Sequence, residues 1–304
     1  NNRIKVDALR QACEKVQQEG GRVLAIIGVA GTTETGHIDP LAEMADIARD
    51  YDTHFHVDAA WGGATLLSNQ HRGLLNGIEQ ADSVTIDAHK QMYVPMGAGM
   101  VLFKNPSLVK AIEHHAEYII RQGSKDLGSH SMEGSRAGMA MMVFSAMHVI
   151  GRRGYELLIN NSIEKARYFA DLIRAQDDFE VITEPELCLL TYRFVPKKVK
   201  QALAGANQEQ VERLTPHLNA LTRYVQKRQR ESGRSFVSRT KLTPAQYYHE
   251  PSVVFRVVLA NPLTTEAMLQ EIIQEQREIA EKATSLRGAL HTEMRELGMI
   301  VSDH

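Results

Sequence analysis

An unbroken apolar run, Val23-Leu24-Ala25-Ile26-Ile27-Gly28-Val29, lies between the helix-stopping pair Gly20-Gly21 and a turn at Gly31-Thr32-Thr33. A strand with one wet face alternates apolar and polar residues. A run without alternation needs cover on both faces, the usual condition of a strand inside a parallel sheet. Further strands are expected at 53–57, 83–87 and 99–103, and helices at 7–19 and after Asp39-Pro40, where Asp39 can cap and Pro40 can take the first helical position. Strands alternating with helices at this spacing predict an α/β domain on a mostly parallel sheet. Residues 106–120 and 137–149 read as helices, and Gly151-Arg152-Arg153-Gly154 breaks the second. Beyond that point, strands at 179–182, 187–194, 235–239 and 253–259, with helices at 156–175, 211–230 and 265–297, predict a smaller α+β domain. The expected domains are 1–152 and 153–304.

In a parallel sheet, residues just past the strand ends line the crevice where ligands bind. Two such ends carry chemistry here: His56-Val57-Asp58-Ala59-Ala60-Trp61-Gly62-Gly63 and Asp87-Ala88-His89-Lys90. An acid, a His and a Lys converging on one site suit pyridoxal phosphate. A lysine amine joins its aldehyde as a Schiff base, and a carboxylate keeps the pyridine nitrogen protonated so that the ring accepts electrons. A small residue such as Ala60 lets a flat ring lie close. Lysines are mostly surface residues, so Lys90 draws its weight from this context. An Asp buried at the end of an apolar strand is costly unless paired, which favours a functional partner for Asp58 over a structural ion pair.

A metal-dependent hydrolase is a competing reading. His54, His56 and Asp58 alternate along one strand and face one way. Catalytic zinc needs three protein ligands and a water, and His89 alone adds a strand-end ligand of that kind, which leaves Lys90 without a role. No metal is expected. A non-catalytic dimerisation fragment is a further alternative.

Three ordered motifs, Gly31-Thr32-Thr33-Glu34-Thr35-Gly36-His37-Ile38-Asp39-Pro40, HVDAAWGG and DAHK, resemble those of the group II pyridoxal-phosphate-dependent amino-acid decarboxylases, which include glutamate, cysteine sulfinate, aromatic amino-acid and 2,4-diaminobutyrate decarboxylases. The resemblance runs from about Val23 to the helix after Pro262. It implies a fold-type-I, aspartate-aminotransferase-like large domain, with Lys90 as the cofactor lysine and Asp58 as partner of the pyridine nitrogen. It also implies Ala60 on the ring face, His89 at the phosphate and Thr33 near the cofactor. Arg256, in a strand followed by Asn261-Pro262, is implied to grip a substrate carboxylate, for which a planar guanidinium is suited. The Asp-Ala-Ala-Trp-Gly-Gly form is closer to the glutamate and cysteine sulfinate enzymes. The implied reaction is therefore α-decarboxylation of a small acidic amino acid, glutamate or aspartate. The alternatives are 2,4-diaminobutyrate decarboxylation and, more remotely, a transaminase with the same ring and lysine.

Two departures stand out. Some relatives carry Asn three residues before the lysine, where this chain has Asp87; an anion beside phosphate is unfavourable, so no phosphate contact is carried over to it. The polar, Gly-containing stretch 123–135 resembles the family's catalytic loop, which in several relatives carries a proton-donating Tyr. No Tyr lies between Ile119 and Arg136, leaving His130 and Tyr118 as candidates. Relatives use this loop against a partner subunit, which implies a homodimer with its active site at the interface. The chain begins Asn1-Asn2-Arg3 and its first helix reads as mid-domain. Family members have a long segment before this point, so the chain is expected to be the C-terminal part of a longer protein.

Composition excludes several other classes. A formal charge of −2 gives no reason to expect nucleic acid or an anionic membrane as partner. Cys13 and Cys188 are the only cysteines, which makes a disulfide framework unlikely to be the organising principle and a reducing cytoplasm the simplest home. No apolar run reaches the roughly 18 residues of a membrane span, and no signal-peptide pattern is present.

Overall fold

A computed structural model describes residues 2–115, 120, 121, 123, 127–131 and 136–299. They divide into two compact units. The first comprises Arg3–Thr32 and Ile38–Ile159; the second comprises residues 160–299 together with Asn2 and Thr33–His37.

In the first unit, α1 (Val6–Gln18) leads into β1 (Ala25–Val29), α2 (Leu41–Asp50), β2 (His54–Asp58), β3 (Ser83–Asp87) and β4 (Gly99–Phe103). The sheet order is β1-β2-β3-β4, with the first three strands parallel and β4 antiparallel to β3. Antiparallel β4 is why the sheet is mixed rather than wholly parallel. Buried Leu41, Met44, Ala45, Ile47 and Ala48 form the inner face of α2, which packs on β1 and β2. Asp39 does not cap this helix. Its carboxylate accepts instead from the backbone amides of Ile4 (2.8 Å) and Val29 (2.9 Å), tying the chain before α1 to the end of β1. The helix expected over 106–120 is a 3-10 segment, Pro106–Ile112, started by the Asn105 side chain accepting from Ser107 N.

Helix α3 (Met139–Arg174) contributes residues to both units and bends at Gly151, whose φ of 66° and ψ of 169° are not helical. That is the break the Gly-Arg-Arg-Gly run announced. The second unit continues through β5 (Phe179–Thr183), β6 (Leu189–Phe194), α4 (Lys197–Leu203), α5 (Gln208–Ser232), β7 (Ser238–Leu242), β8 (Ser252–Val258), α6 (Glu266–Glu281) and α7 (Thr284–Glu296). Its sheet is antiparallel throughout, in the order β5-β6-β8-β7. Asn207 begins α5 with a reciprocal capping box to Gln210. The stretch read as one helix over 265–297 is two helices. Neither Gly nor Pro marks the break, and buried Ala283 sits there with non-helical ψ, so apolar periodicity ran on through it. The strand expected at 235–239 lies three residues later, at β7.

The core of the second unit gathers Phe169, Phe179, Leu190, Tyr192, Phe255 and Leu269. The Tyr192 hydroxyl donates to Gln276 (3.1 Å) and burial pushes its pKa up. Phe169 is fully buried and meets Tyr192 edge-on with ring centroids 5.3 Å apart, the favoured geometry for two aromatic quadrupoles. Phe169→Ala should therefore destabilise by about 3–5 kcal/mol, read as a lower midpoint in urea unfolding of the intact protein. A loss below about 1 kcal/mol would show that the surroundings collapse into the space.

Candidate active site

The parallel register brings the ends of β1 and β2 to one level, with β3 running two residues further. Val29 pairs with Asp58, and Asp58 with Thr85, so Asp58 ends the middle strand of the parallel trio. Beyond β2 the chain is fixed by backbone bonds on both sides: Ala30 N to Asp58 O (2.8 Å), Ala59 N to Thr85 O (3.0 Å) and Gly62 N to Ala30 O (3.0 Å). A Cβ at Gly63 would lie 2.6 Å from Ile86 Cγ1, so only glycine lets this turn settle on β3. Ala60 donates its amide to Asp58 Oδ1 (3.0 Å), and Ala60 accepts from Asp87 N (3.2 Å).

Asp58 is exposed, not buried. The cost of burial therefore gives no support to its role; that support comes from its position. Among the described residues no cation forms an ion pair with it, and its carboxylate stands at the strand-end edge.

Lys90 lies in a tight loop after β3. Lys90 N donates to Asp87 O (3.1 Å), Tyr93 N to Lys90 O (3.2 Å), Val94 N to Ala88 O (3.1 Å) and His89 N to Ala98 O (3.2 Å). Asp87 Oδ2 is 3.0 Å from Lys90 Nζ and 3.7 Å from His89 Nε2. The His89 ring is held by Nδ1 against Ala98 O at 3.1 Å, which makes Nδ1 the donor and leaves Nε2 facing the anion. The Asp87 contacts were not foreseen. An anion at this position suits phosphate poorly, and its separation of three from Lys90 is the available signal for an ion pair.

His54 and His56, the basis of the metal reading, use their nitrogens on the neighbouring strand. His54 Nε2 and His56 Nδ1 both meet Ser83 Oγ, at 2.8 and 2.7 Å, and His56 Nε2 meets Thr85 Oγ1 at 3.3 Å. Among the described residues no three His, Cys, Asp or Glu side chains are grouped to hold a metal.

Arg256 and Thr33 belong to the second unit. Arg256 Nε donates to Thr33 O at 2.8 Å, and Nη2 donates to the same oxygen. Burial pushes the guanidinium below its ordinary pKa, and the nearby charge of Glu34 opposes that shift. The Nε/Nη2 edge is therefore engaged by a backbone carbonyl, which leaves Nη1 and the second hydrogen of Nη2 for another partner. Thr33 itself is exposed. Its segment is held further along, where Gly36 abuts Leu189 and His37 Nε2 lies 3.6 Å from Glu186 Oε1. Most of 123–135, and Tyr118, lie outside the described residues; His130 Nδ1 meets Ser129 Oγ at 2.9 Å.

A charge-assisted hydrogen bond contributes about 1.5–3 kcal/mol. Arg256→Met should therefore speed amide hydrogen exchange in Thr33–His37 by about tenfold or more, with exchange in β1 unchanged. Unaltered exchange in the segment would mean that the clamp does not hold it.

Residues 1–195 match the family model of the pyridoxal-dependent decarboxylase conserved domain. The chain is 65% identical over 280 residues to an aspartate 1-decarboxylase of Aliivibrio fischeri, covering 92% of this chain and 51% of the relative. It is 33% identical over 202 residues to an L-2,4-diaminobutyrate decarboxylase of Acinetobacter baumannii, covering 65% and 40%. Among solved structures, mouse CSAD in its apo form superposes with a TM-score of 0.81 at 25% identity over 91% of this chain and 56% of that one. The fold is thus that of the fold-type-I pyridoxal phosphate enzymes. The chain spans about half the length of the curated relatives it matches. With the family model covering well over half of the chain, this protein belongs to the pyridoxal-dependent decarboxylases.

Proposed function

We propose that this chain carries the lysine-bearing part of a pyridoxal-phosphate-dependent decarboxylase that removes the α-carboxylate of a small acidic amino acid, with aspartate ahead of glutamate. One observation carries the reading: the exposed carboxylate of Asp58 ends the middle strand of the parallel trio, and Lys90 stands in the loop closing the next strand. The 65% identity to an aspartate 1-decarboxylase supports the choice of substrate.

The residues fit the cofactor chemically. When bound, pyridoxal phosphate supplies an aldehyde for an amine and a ring that accepts the electron pair left by departing carbon dioxide. Lys90 provides the amine and gives way to the substrate amine. Asp58 holds a proton at the pyridine nitrogen, which its exposed carboxylate is free to do. Ala60, without a bulky side chain, leaves space for a ring face. We assign His89 to the phosphate on the strength of its place beside Lys90; its Nε2 is the ring nitrogen left open by the Nδ1 contact with Ala98 O. Thr33 is placed beside the cofactor on the strength of its motif. Arg256 offers Nη1 to a substrate carboxylate, an end-on grip.

A transaminase would use the same lysine and ring; membership of the decarboxylase family favours carbon dioxide loss. The second reading is 2,4-diaminobutyrate decarboxylation, favoured by the Acinetobacter relative. We read the protein as a homodimer, supported by exposed apolar Met141, Met142, Phe144, Met147 and Val149 on α3. A cytoplasmic location is supported by the low cysteine content, Cys13 and Cys188 alone. No described helix is long and apolar enough to cross a membrane.

Carbon dioxide release by the intact protein should be fastest with aspartate among aspartate, glutamate, cysteine sulfinate and 2,4-diaminobutyrate. Borohydride reduction should leave the pyridoxyl mass on the peptide containing Lys90. A preference for 2,4-diaminobutyrate would overturn the acidic-substrate reading, and a label on Lys110 would overturn the site.

A further inference from the structure

We propose that Asp87 is a positioning residue that holds Lys90 when the lysine is not joined to the cofactor, and so competes with cofactor attachment. The inference rests on reading Lys90 as the cofactor lysine. Three features fix the Asp87 carboxylate at that lysine. Its backbone is the last residue of β3, with its amide on Ala60 O at 3.2 Å. Its cross-strand partner is Gly99, where a Cβ would come within 3.2 Å of Asp87 Oδ1; the missing side chain leaves the carboxylate its place. Its Oδ2 lies 3.0 Å from Lys90 Nζ and 3.7 Å from His89 Nε2, with side chains 18% exposed for Asp87 and 34% for Lys90.

This pair is ionic only while Lys90 is an ammonium. Attachment takes a proton from that ammonium to solvent, joins the nitrogen to the aldehyde carbon and expels one water. Release by a substrate amine returns the lysine nitrogen, which regains a proton and its contact with Asp87. The pair favours the released lysine, because attachment replaces N–H donors of the ammonium with a bond to carbon. An Asn at this position, as in the relatives noted above, keeps the shape and lacks the charge.

Asp87→Asn in the intact protein tests this in two ways. Acylation of Lys90 by an amine-reactive ester at fixed pH, in protein stripped of cofactor and read by peptide mass, should be about three- to fivefold faster, the upper part of the range for a partly exposed ion pair. Affinity for pyridoxal phosphate should tighten by a similar factor. Asp87→Glu, which keeps the charge, should stay within about twofold of wild type in both measurements. Freeing His89 could also tighten the cofactor, but it would not alter acylation, so the first measurement isolates the lysine. An unchanged acylation rate, or weaker cofactor binding by Asp87→Asn, overturns the proposal. A pyridoxyl label found elsewhere than Lys90 would instead overturn the functional reading, and the acylation result would still report on the pair.

Discussion

The parallel hydrogen-bonded register of β1, β2 and β3 is the constraint on which the rest depends. Because Val29, Asp58 and Thr85 are register neighbours, β1 and β2 end level and β3 runs two residues further to Asp87, so their following loops start from one edge. That edge is where an open α/β sheet has room for a ligand. A shift of one residue in β2 would turn Asp58 to the other face and bring Val57 in its place. The register is guarded from both sides: α2 buries its apolar face against β1 and β2, and the turn after β2 closes on Ile86 through a glycine that tolerates no Cβ.

Charge is distributed unevenly along this edge. Asp58 is open to solvent and makes no ion pair among the described residues, whereas Asp87 pairs with Lys90 and lies 3.7 Å from His89 Nε2. Two carboxylates one strand apart therefore take different parts, one presented outward and the other turned to the protein's own cations. The second unit shows a comparable economy. Arg256 uses two nitrogens to hold the Thr33 carbonyl, which fixes a segment that is covalently the continuation of β1.

Much of this was legible in the residues. Non-alternating Val23–Val29 pointed to the parallel sheet, yet β1 buries one face only, with Ala25 and Ile27 exposed. The two strand-end motifs marked the positions of Asp58 and Lys90, because loop chemistry leaves a local mark. Gly151 marked its own break for the same reason. Features set by tertiary partners were not legible. Asp39 reads as a helix cap yet serves Ile4 and Val29; Ala283 interrupts a helix without any breaker; Arg256 is engaged by a carbonyl far away in sequence. The exposure of Asp58 was misread because an apolar strand says nothing about the solvent at its last residue. The Asp87–Lys90 ion pair left only a spacing of three as its mark, which residues in a loop share whether or not they meet.

The central claim is that Asp58 governs the protonation of the cofactor ring. The direct measurement is nitrogen-15 NMR of the intact protein loaded with ring-labelled pyridoxal phosphate. The account predicts a protonated ring nitrogen in the wild type and an unprotonated one in Asp58→Ala, with Lys90 still reducible onto the cofactor in both. A ring nitrogen unprotonated in the wild type, or still protonated in the variant, would contradict it.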